Sequence, residues 1–268
     1  LLEFDVLESV ADFKFNDLKA HFFKPSTAAI EMSGSAHFSN NKLSIQLKNG
    51  VMHDVNLGGS ALKIRPDDAN EYQADVDLMA KGSVKSLRQM LQDKPISEIK
   101  NIGSLPAGLT GATTLQAKFS FPLDIESTTK VIPFNASAKI KNATLPGILL
   151  GNDFNDGELR INLDQDKMLI SGTSILNGGT FTFKQEKLFN SDEKNLGTKE
   201  FSLNLTPSDL RKLGLTIPLE LDGMISVNAK IEGLSEGISK INAVVDLINA
   251  QTSIPQLNWE KPSGSAGR

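Results

Sequence analysis

Tyr72-Gln73-Ala74-Asp75-Val76-Asp77-Leu78 alternates apolar with polar side chains from end to end. Successive side chains of an extended chain point to opposite faces, so the stretch predicts a strand with one oily and one wet face. The same period of two recurs on both sides of it. Leu43, Ile45 and Leu47 alternate with Ser44, Gln46 and Lys48, and Leu115, Ala117, Phe119 and Phe121 with Gln116, Lys118 and Ser120. Leu159, Ile161 and Leu163 follow the rule, as do Phe201, Leu203 and Leu205, and Ile225, Val227, Ala229 and Ile231. This is the pattern of an antiparallel sheet with water on one side. Asn40-Asn41, Asn49-Gly50, Asp156-Gly157 and Asn177-Gly178-Gly179 tolerate positive φ and are read as hairpin turns.

Two segments break the alternation. Ser83 to Asp93 places Val84, Leu87, Met90 and Leu91 on one helical face, with Ser83 as N-cap. Thr206-Pro207 through Leu213-Gly214 carries a Thr cap, Pro in the first turn and Gly at the stop. A third, weak turn lies near Ser97 to Ile99. The chain is therefore mainly β with two short helices.

Composition excludes much. The 268 residues carry 28 Lys+Arg against 32 Asp+Glu, mixed along the chain, so no basic stripe is present to neutralise a nucleic acid. Cys is absent, which removes disulfides, thiolate metal sites and a Cys nucleophile. One Tyr and one Trp cannot build a stacking platform for bases or sugars. No window approaches the ~18 apolar residues a membrane helix needs, and no signal peptide is visible. The first residue is Leu, which suggests a piece of a longer chain.

No catalytic constellation emerges. His21, His37 and His53 lack ligand spacing and read as surface or strand histidines. Asn152 to Glu158 is acidic but lacks the alternate carboxylates of a calcium loop, so a hairpin turn is the better reading. Asn135, Asn142 and Asn204 head glycosylation sequons, but in or beside strands. No cofactor or metal is expected, and no enzyme activity.

The chain also repeats itself. Leu105-Pro106-Ala107-Gly108-Leu109-Thr110-Gly111 aligns without gaps on Ile217-Pro218-Leu219-Glu220-Leu221-Asp222-Gly223, and the same offset lays Ala117-Lys118 on Ala229-Lys230. Each copy follows a short helix containing Leu-Arg. Repetition of this kind predicts a sheet extended strand by strand. Two helices of about 15 Å cannot roof a dozen or more strands spaced ~4.8 Å apart. The sheet must close on itself, as in a β-sandwich, or leave an apolar trough of the sort that marks ligand or membrane contacts. Sandwiches are the commoner all-β solution.

The segment Gly82-Ser83-Val84-Lys85-Ser86-Leu87-Arg88-Gln89-Met90-Leu91 followed by Leu105 to Leu123 resembles the AsmA-like superfamily, and most of all its YhdP-type branch of large bacterial envelope proteins. Gly108, Gly111 and Phe121-Pro122-Leu123 carry the likeness most strongly. Asn142 to Gly147, Gly157-Glu158-Leu159, Gly172 and Asn177-Gly178-Gly179 look like the next module, so that the resemblance spans most of residues 40–250. It implies a long, curved, U-shaped antiparallel sheet, a repeating β-groove with a hydrophobic inner face. It implies a periplasmic location, anchored to the inner membrane by a segment absent here. And it implies phospholipid transport between the inner and outer membranes in support of outer-membrane integrity.

On that footing the expected organisation is an N-terminal β segment over residues 1–39 and a first β-groove repeat over 40–123 with its helix at 83–93. A second repeat runs over 124–258 with its helix at 207–213, and 259–268 is a tail or linker. The expected partners are phospholipid, the remainder of the same chain and the inner membrane, with no nucleic acid. The candidates for lining the lipid groove are Leu43, Ile45, Leu47, Ala74, Val76, Leu78, Leu115, Ala117, Phe119, Phe121, Leu159, Ile161, Leu163, Leu203, Val227 and Ala229. Two other classes stand beside this one. A structural or adhesion-type β-sandwich would bind protein partners. A carbohydrate-active enzyme would need paired carboxylates in an aromatic-lined cleft, which one Tyr and one Trp do not supply.

Overall fold

The computed structural model describes residues 9–21, 27–67, 70–93, 96–98, 101, 104–123, 133–149, 152–176, 179–189, 197–212, 220–235 and 238–266. The chain is mainly β with two short helices. In order the elements are β1 (Val10–Ala20), β2 (Ala29–Ser39), β3 (Lys42–Met52), β4 (Val55–Asn56), β5 (Ala61–Pro66), β6 (Tyr72–Ser83), α1 (Val84–Met90), β7 (Thr110–Pro122) and β8 (Phe134–Leu149). There follow β9 (Asn152–Asp164), β10 (Lys167–Leu176), β11 (Gly179–Leu188), β12 (Gly197–Leu205), α2 (Pro207–Lys212), β13 (Glu220–Gly223), β14 (Ile225–Ser235), β15 (Ile238–Asp246), β16 (Ala250–Ile254) and β17 (Trp259–Lys261). Fourteen of these strands form one long antiparallel sheet, ordered almost as the chain runs, and β13, β16 and β17 form a second.

The alternating stretches all become strands. β6 pairs antiparallel with β7, and β12 with β14. In both places a short helix leaves the sheet between two strands that pair with each other, although Asp222-Gly223, which align with Thr110-Gly111 at the start of β7, lie in β13 of the second sheet. α1 forms because Val84, Leu87 and Met90 recur on one buried face, and the Ser83 hydroxyl accepts the Ser86 N–H to cap it. At α2 the cap is reciprocal. Thr206 N–H (2.9 Å) and its hydroxyl (2.6 Å) donate to Asp209 Oδ2, while Asp209 N–H returns to Thr206 Oγ1. The hydroxyl bond from Thr206, and then the backbone bond, hold the Asp209 carboxyl below the usual carboxylate range.

Asn40 and Asn41, with φ of 50° and 61°, make the turn between β2 and β3. Two other expected turns are corrected. Asn49-Gly50 lies inside β3 and Asp156-Gly157 inside β9. The chain reverses instead at His53-Asp54 after β3, both with positive φ. Asn177-Gly178 lies outside the described residues, and Gly179 opens β11.

Positive-φ residues inside strands reset the phase of the alternation. In β2 the register with β3 shifts just after Glu31, whose φ is 53°. In β8 the buried positions run Phe134, Ala136, Ala138 and Ile140, then step to Ala143 and Leu145 across Asn142, whose φ is 50°. In β9 they step from Phe154 to Leu159, Ile161 and Leu163 across Asp156, whose φ is 49°. Each is the mark of a β-bulge, which inserts one residue and restores the apolar set to its face. Gly157 follows because a Cβ there would stand 2.2 Å from the Phe154 ring.

The chain divides into two compact units. One is Leu1–Leu105, Thr110–Ile140 and Asn162–Gln165, and the other is Pro106–Leu109, Lys141–Ile161 and Asp166–Arg268. The second unit is packed by rings: Phe154 meets Phe181 edge-on at 6.0 Å, Phe181 stacks on Phe201 at 6.0 Å, and Phe201 on Phe183 at 5.6 Å. Residues 259–261, within the span expected as tail or linker, form β17 against β16. They are held because the Lys261 ammonium, only 6% exposed, donates to the carbonyls of Leu247, Ala250 and Pro262.

Candidate functional site

In the first unit the registers of β3, β5, β6 and β7 line up apolar residues in rows across the sheet. Leu43 faces Ile64, Ile64 faces Ala74 and Ala74 faces Phe121. The next row is Ile45, Leu62, Val76 and Phe119, and beyond it Leu78 faces Ala117. On the same face Phe119 and Phe121 stack at 6.1 Å. A sheet face this broad needs a cover, and α1 is too short to give one. Its seven residues span about 10 Å, and it buries only the end of the face, where β6 runs into the helix.

The part left uncovered by the described residues is a groove of about 220 Å³. Met32, Ile45, Leu47, Leu62, Ile64, Val76 and Phe119 are among its walls and floor, Met52, Leu57, Met90 and Ile96 stand at the α1 end, and Phe121 and Leu123 at the other. Among the described residues Ser60 is the one polar side chain that lines it. Its hydroxyl donates to the Met79 carbonyl (3.0 Å) and accepts the Met79 N–H (2.9 Å), stitching the gap between β4 and β5 to β6. Among the described residues no other polar side chain lines the groove, and Ile45, Leu47, Leu62, Ile64 and Val76 remain half-exposed on it.

The opposite face of the same strands is wet and paired. Arg65 Nε donates to Asp75 Oδ2 (2.7 Å), and Ser120 Oγ (2.7 Å) and Gln73 Nε2 (2.8 Å) donate to Asp75 Oδ1. Burial pushes the Asp75 carboxyl up, but the bonds from Ser120, Arg65 and Gln73 outweigh it and set the pKa below the ordinary value. Lys118 Nζ reaches Asp77 at 3.2 Å.

Of the sixteen residues picked from the sequence, Ile45, Leu47, Ala74, Val76, Leu78, Phe119 and Phe121 meet at the groove. Leu43 is half-buried in the first of those rows, and Leu115 and Ala117 are buried on the same strand as Phe119. Leu159, Ile161 and Leu163 are buried along β9, and Leu203 is buried on β12. Val227 and Ala229 are half-buried on β14. Ala229 borders a second hollow in the second unit, about 540 Å³, whose rim of Thr182, Lys184, Glu200, Ser202, Asn228 and Lys230 is polar. Leu62 and Ile64 were overlooked although they alternate with Lys63 and Arg65 and carry the same signal. Met32, Met52 and Ile96 had no such signal, because they enter from a bulged strand, a strand end and a turn.

His37 Nδ1 bonds Asp12 at 2.8 Å on the outer face, and His53 Nε2 bonds Asp93 at 2.9 Å beside the groove's α1 end. Among the described residues no helix is long and apolar enough to cross a membrane. Comparison with family models, with curated proteins and with solved structures finds no match.

Proposed function

We propose that the chain is a lipid-handling segment whose groove holds hydrocarbon chains while polar headgroups stay toward water. The observation that carries this is the groove itself: four strands leave an apolar channel half-open, and the only polar side chain lining it among the described residues is already engaged. An apolar cavity of about 150 Å³ stays dry and takes up benzene, so a channel of about 220 Å³ is large enough to favour an alkyl segment over water. Each CH₂ buried there gains ~0.8 kcal/mol. Neighbouring rows are chemically alike, so a chain can be held and still slide. Taken with the resemblance to AsmA-like proteins, the reading is of phospholipid bound by its acyl chains and passed along a bacterial envelope groove. On it the full-length protein works in the periplasm, anchored to the inner membrane, and supports the outer membrane.

The test places photo-crosslinking residues on both faces of β6 and β7. Val76 and Phe119 line the groove, whereas Asp75 and Lys118 point the other way. Crosslinkers at Val76 and Phe119 are expected to capture phospholipid, those at Asp75 and Lys118 none, and native mass spectrometry to show adducts of phospholipid mass. Equal labelling at all four positions, or none anywhere, sinks the reading.

A further inference from the structure

The chain has one tryptophan, Trp259, and it stands near the tip of the hairpin made by β16 and β17. Ile254 and Trp259 are register partners, so their side chains share one face of the hairpin. Between them Pro255–Leu257 form a single 3₁₀ turn, and Asn258, with φ of 48°, takes the left-handed step that brings the chain back. Pro255 has no N–H of its own, and its carbonyl accepts the Asn258 N–H at 3.1 Å. The tip is apolar and open to solvent: Leu257 is 70% exposed and Trp259 46%.

From Ile254 to Trp259 no side chain carries a charge. The stem behind them is polar. Gln251 Nε2 donates to Glu260 Oε1 (2.7 Å), and Ser253 Oγ donates to Glu220 Oε2 (2.8 Å). The stem is also fixed, because the buried Lys261 ammonium at the end of β17 donates to the carbonyls of Leu247 and Ala250.

This division between tip and stem selects the occupant. An aromatic side chain buries roughly 150–250 Å², whereas a stable protein interface takes about 800 Å² from each partner. One Trp and one Leu on a turn fall well short of that. A bilayer interface asks for less. It favours an indole, whose apolar body lies among the chains while its N–H stays at headgroup level. It disfavours charge and open backbone donors, and this turn has no charge and a proline where a donor would stand.

We propose that the tip of the β16–β17 hairpin inserts into the interface of a lipid bilayer, with Leu257 and Trp259 as the inserted side chains and Glu220 and Glu260 left in water. The contact does not depend on the groove in the first unit. Two side chains give weak and reversible attachment, since even a single acyl chain does no more. The carboxylates behind the tip set its preference, so a neutral membrane surface is favoured over an anionic one.

Trp259 is its own probe. With excess phosphatidylcholine vesicles its emission is expected to shift to the blue and to be quenched by lipids brominated on the acyl chain. Vesicles containing phosphatidylglycerol should bind less at low salt, the difference shrinking as salt is added. Leu257→Asp is expected to lower the partition coefficient at least about tenfold. Ile175→Asp, at an exposed apolar position on β10, should bind as the parent does. Both positions are on the surface, so both variants should keep the parent's circular dichroism. Emission that vesicles leave unmoved, tighter binding to the anionic vesicles, or equal binding by Leu257→Asp and the parent overturns the proposal. So does a blue shift that grows with protein concentration in the absence of vesicles, which makes the occupant a second copy. Leu257→Asp should still capture phospholipid through a crosslinker at Val76, so failure of the tip and failure of the groove are read separately.

Discussion

Asp75 draws three strands together through one side chain. It stands on β6, accepts from Arg65 on β5 and from Ser120 on β7, and its ion pair with Arg65 leaves it 29% exposed. Its pKa is lowered from 3.8, so the native state favours the charged form. The stabilisation is complete above the unfolded value and fades as pH falls through the lower native one. Asp75→Asn should therefore cost about 1 kcal/mol at neutral pH and progressively less in acid, where the parent carboxyl is itself neutral. Denaturant unfolding of both proteins at pH 7 and near pH 3 reads this directly. A gap that stays constant or widens in acid would contradict the assignment.

At the scale of single elements, alternation told where the strands are but not where they end. Asn49-Gly50 and Asp156-Gly157 look like turns because Asn, Asp and Gly accept positive φ, and Asp156 does adopt it. The backbone uses that freedom to shift phase within a strand, not to reverse. The clue was present in the sequence: the apolar set changes parity between Phe154 and Leu159, and between Ile140 and Ala143. A turn would have had no need to preserve a face across it. If Asp156 is a bulge residue, a β-branched side chain there meets the left-handed penalty of about 1–2 kcal/mol. Asp156→Val is expected to lose roughly that much stability and Asp156→Gly to lose none, as judged by the midpoint of chemical unfolding. Equal stability of the two variants would remove the bulge from the account. The helices were more legible, since caps and a three-residue apolar spacing are local signals. Ser83 and Thr206 sit where the sequence placed them.

For the whole molecule, mainly-β character and a long antiparallel sheet could be read from periodicity alone. Which apolar positions meet at an open groove could not. A buried Leu159 and a half-exposed Val76 obey the same alternation. They differ because Phe154, Phe181, Phe183 and Phe201 pack on one another in the second unit, while the rows in the first unit are mostly Leu, Ile, Val and Ala, with Phe119 and Phe121 on one strand and α1 at one end. Side-chain volume against available cover decides between core and channel, and cover depends on pairing between distant stretches.

The rims of the long sheet carry their own chemistry. Among the described residues β1 and β15 are paired on one side only, and Phe13 (53% exposed) and Ile241 (65%) stand open on them. Unpaired backbone donors and acceptors beside exposed apolar side chains recruit further strands. Sedimentation velocity should show species that grow with concentration, and Ile241→Lys should shift them toward monomer. A single species at every loading would argue that these borders are inert. Where the species do grow, shelf life, crystallisability and yield of the isolated polypeptide follow from two outermost ribbons, whatever the channel carries.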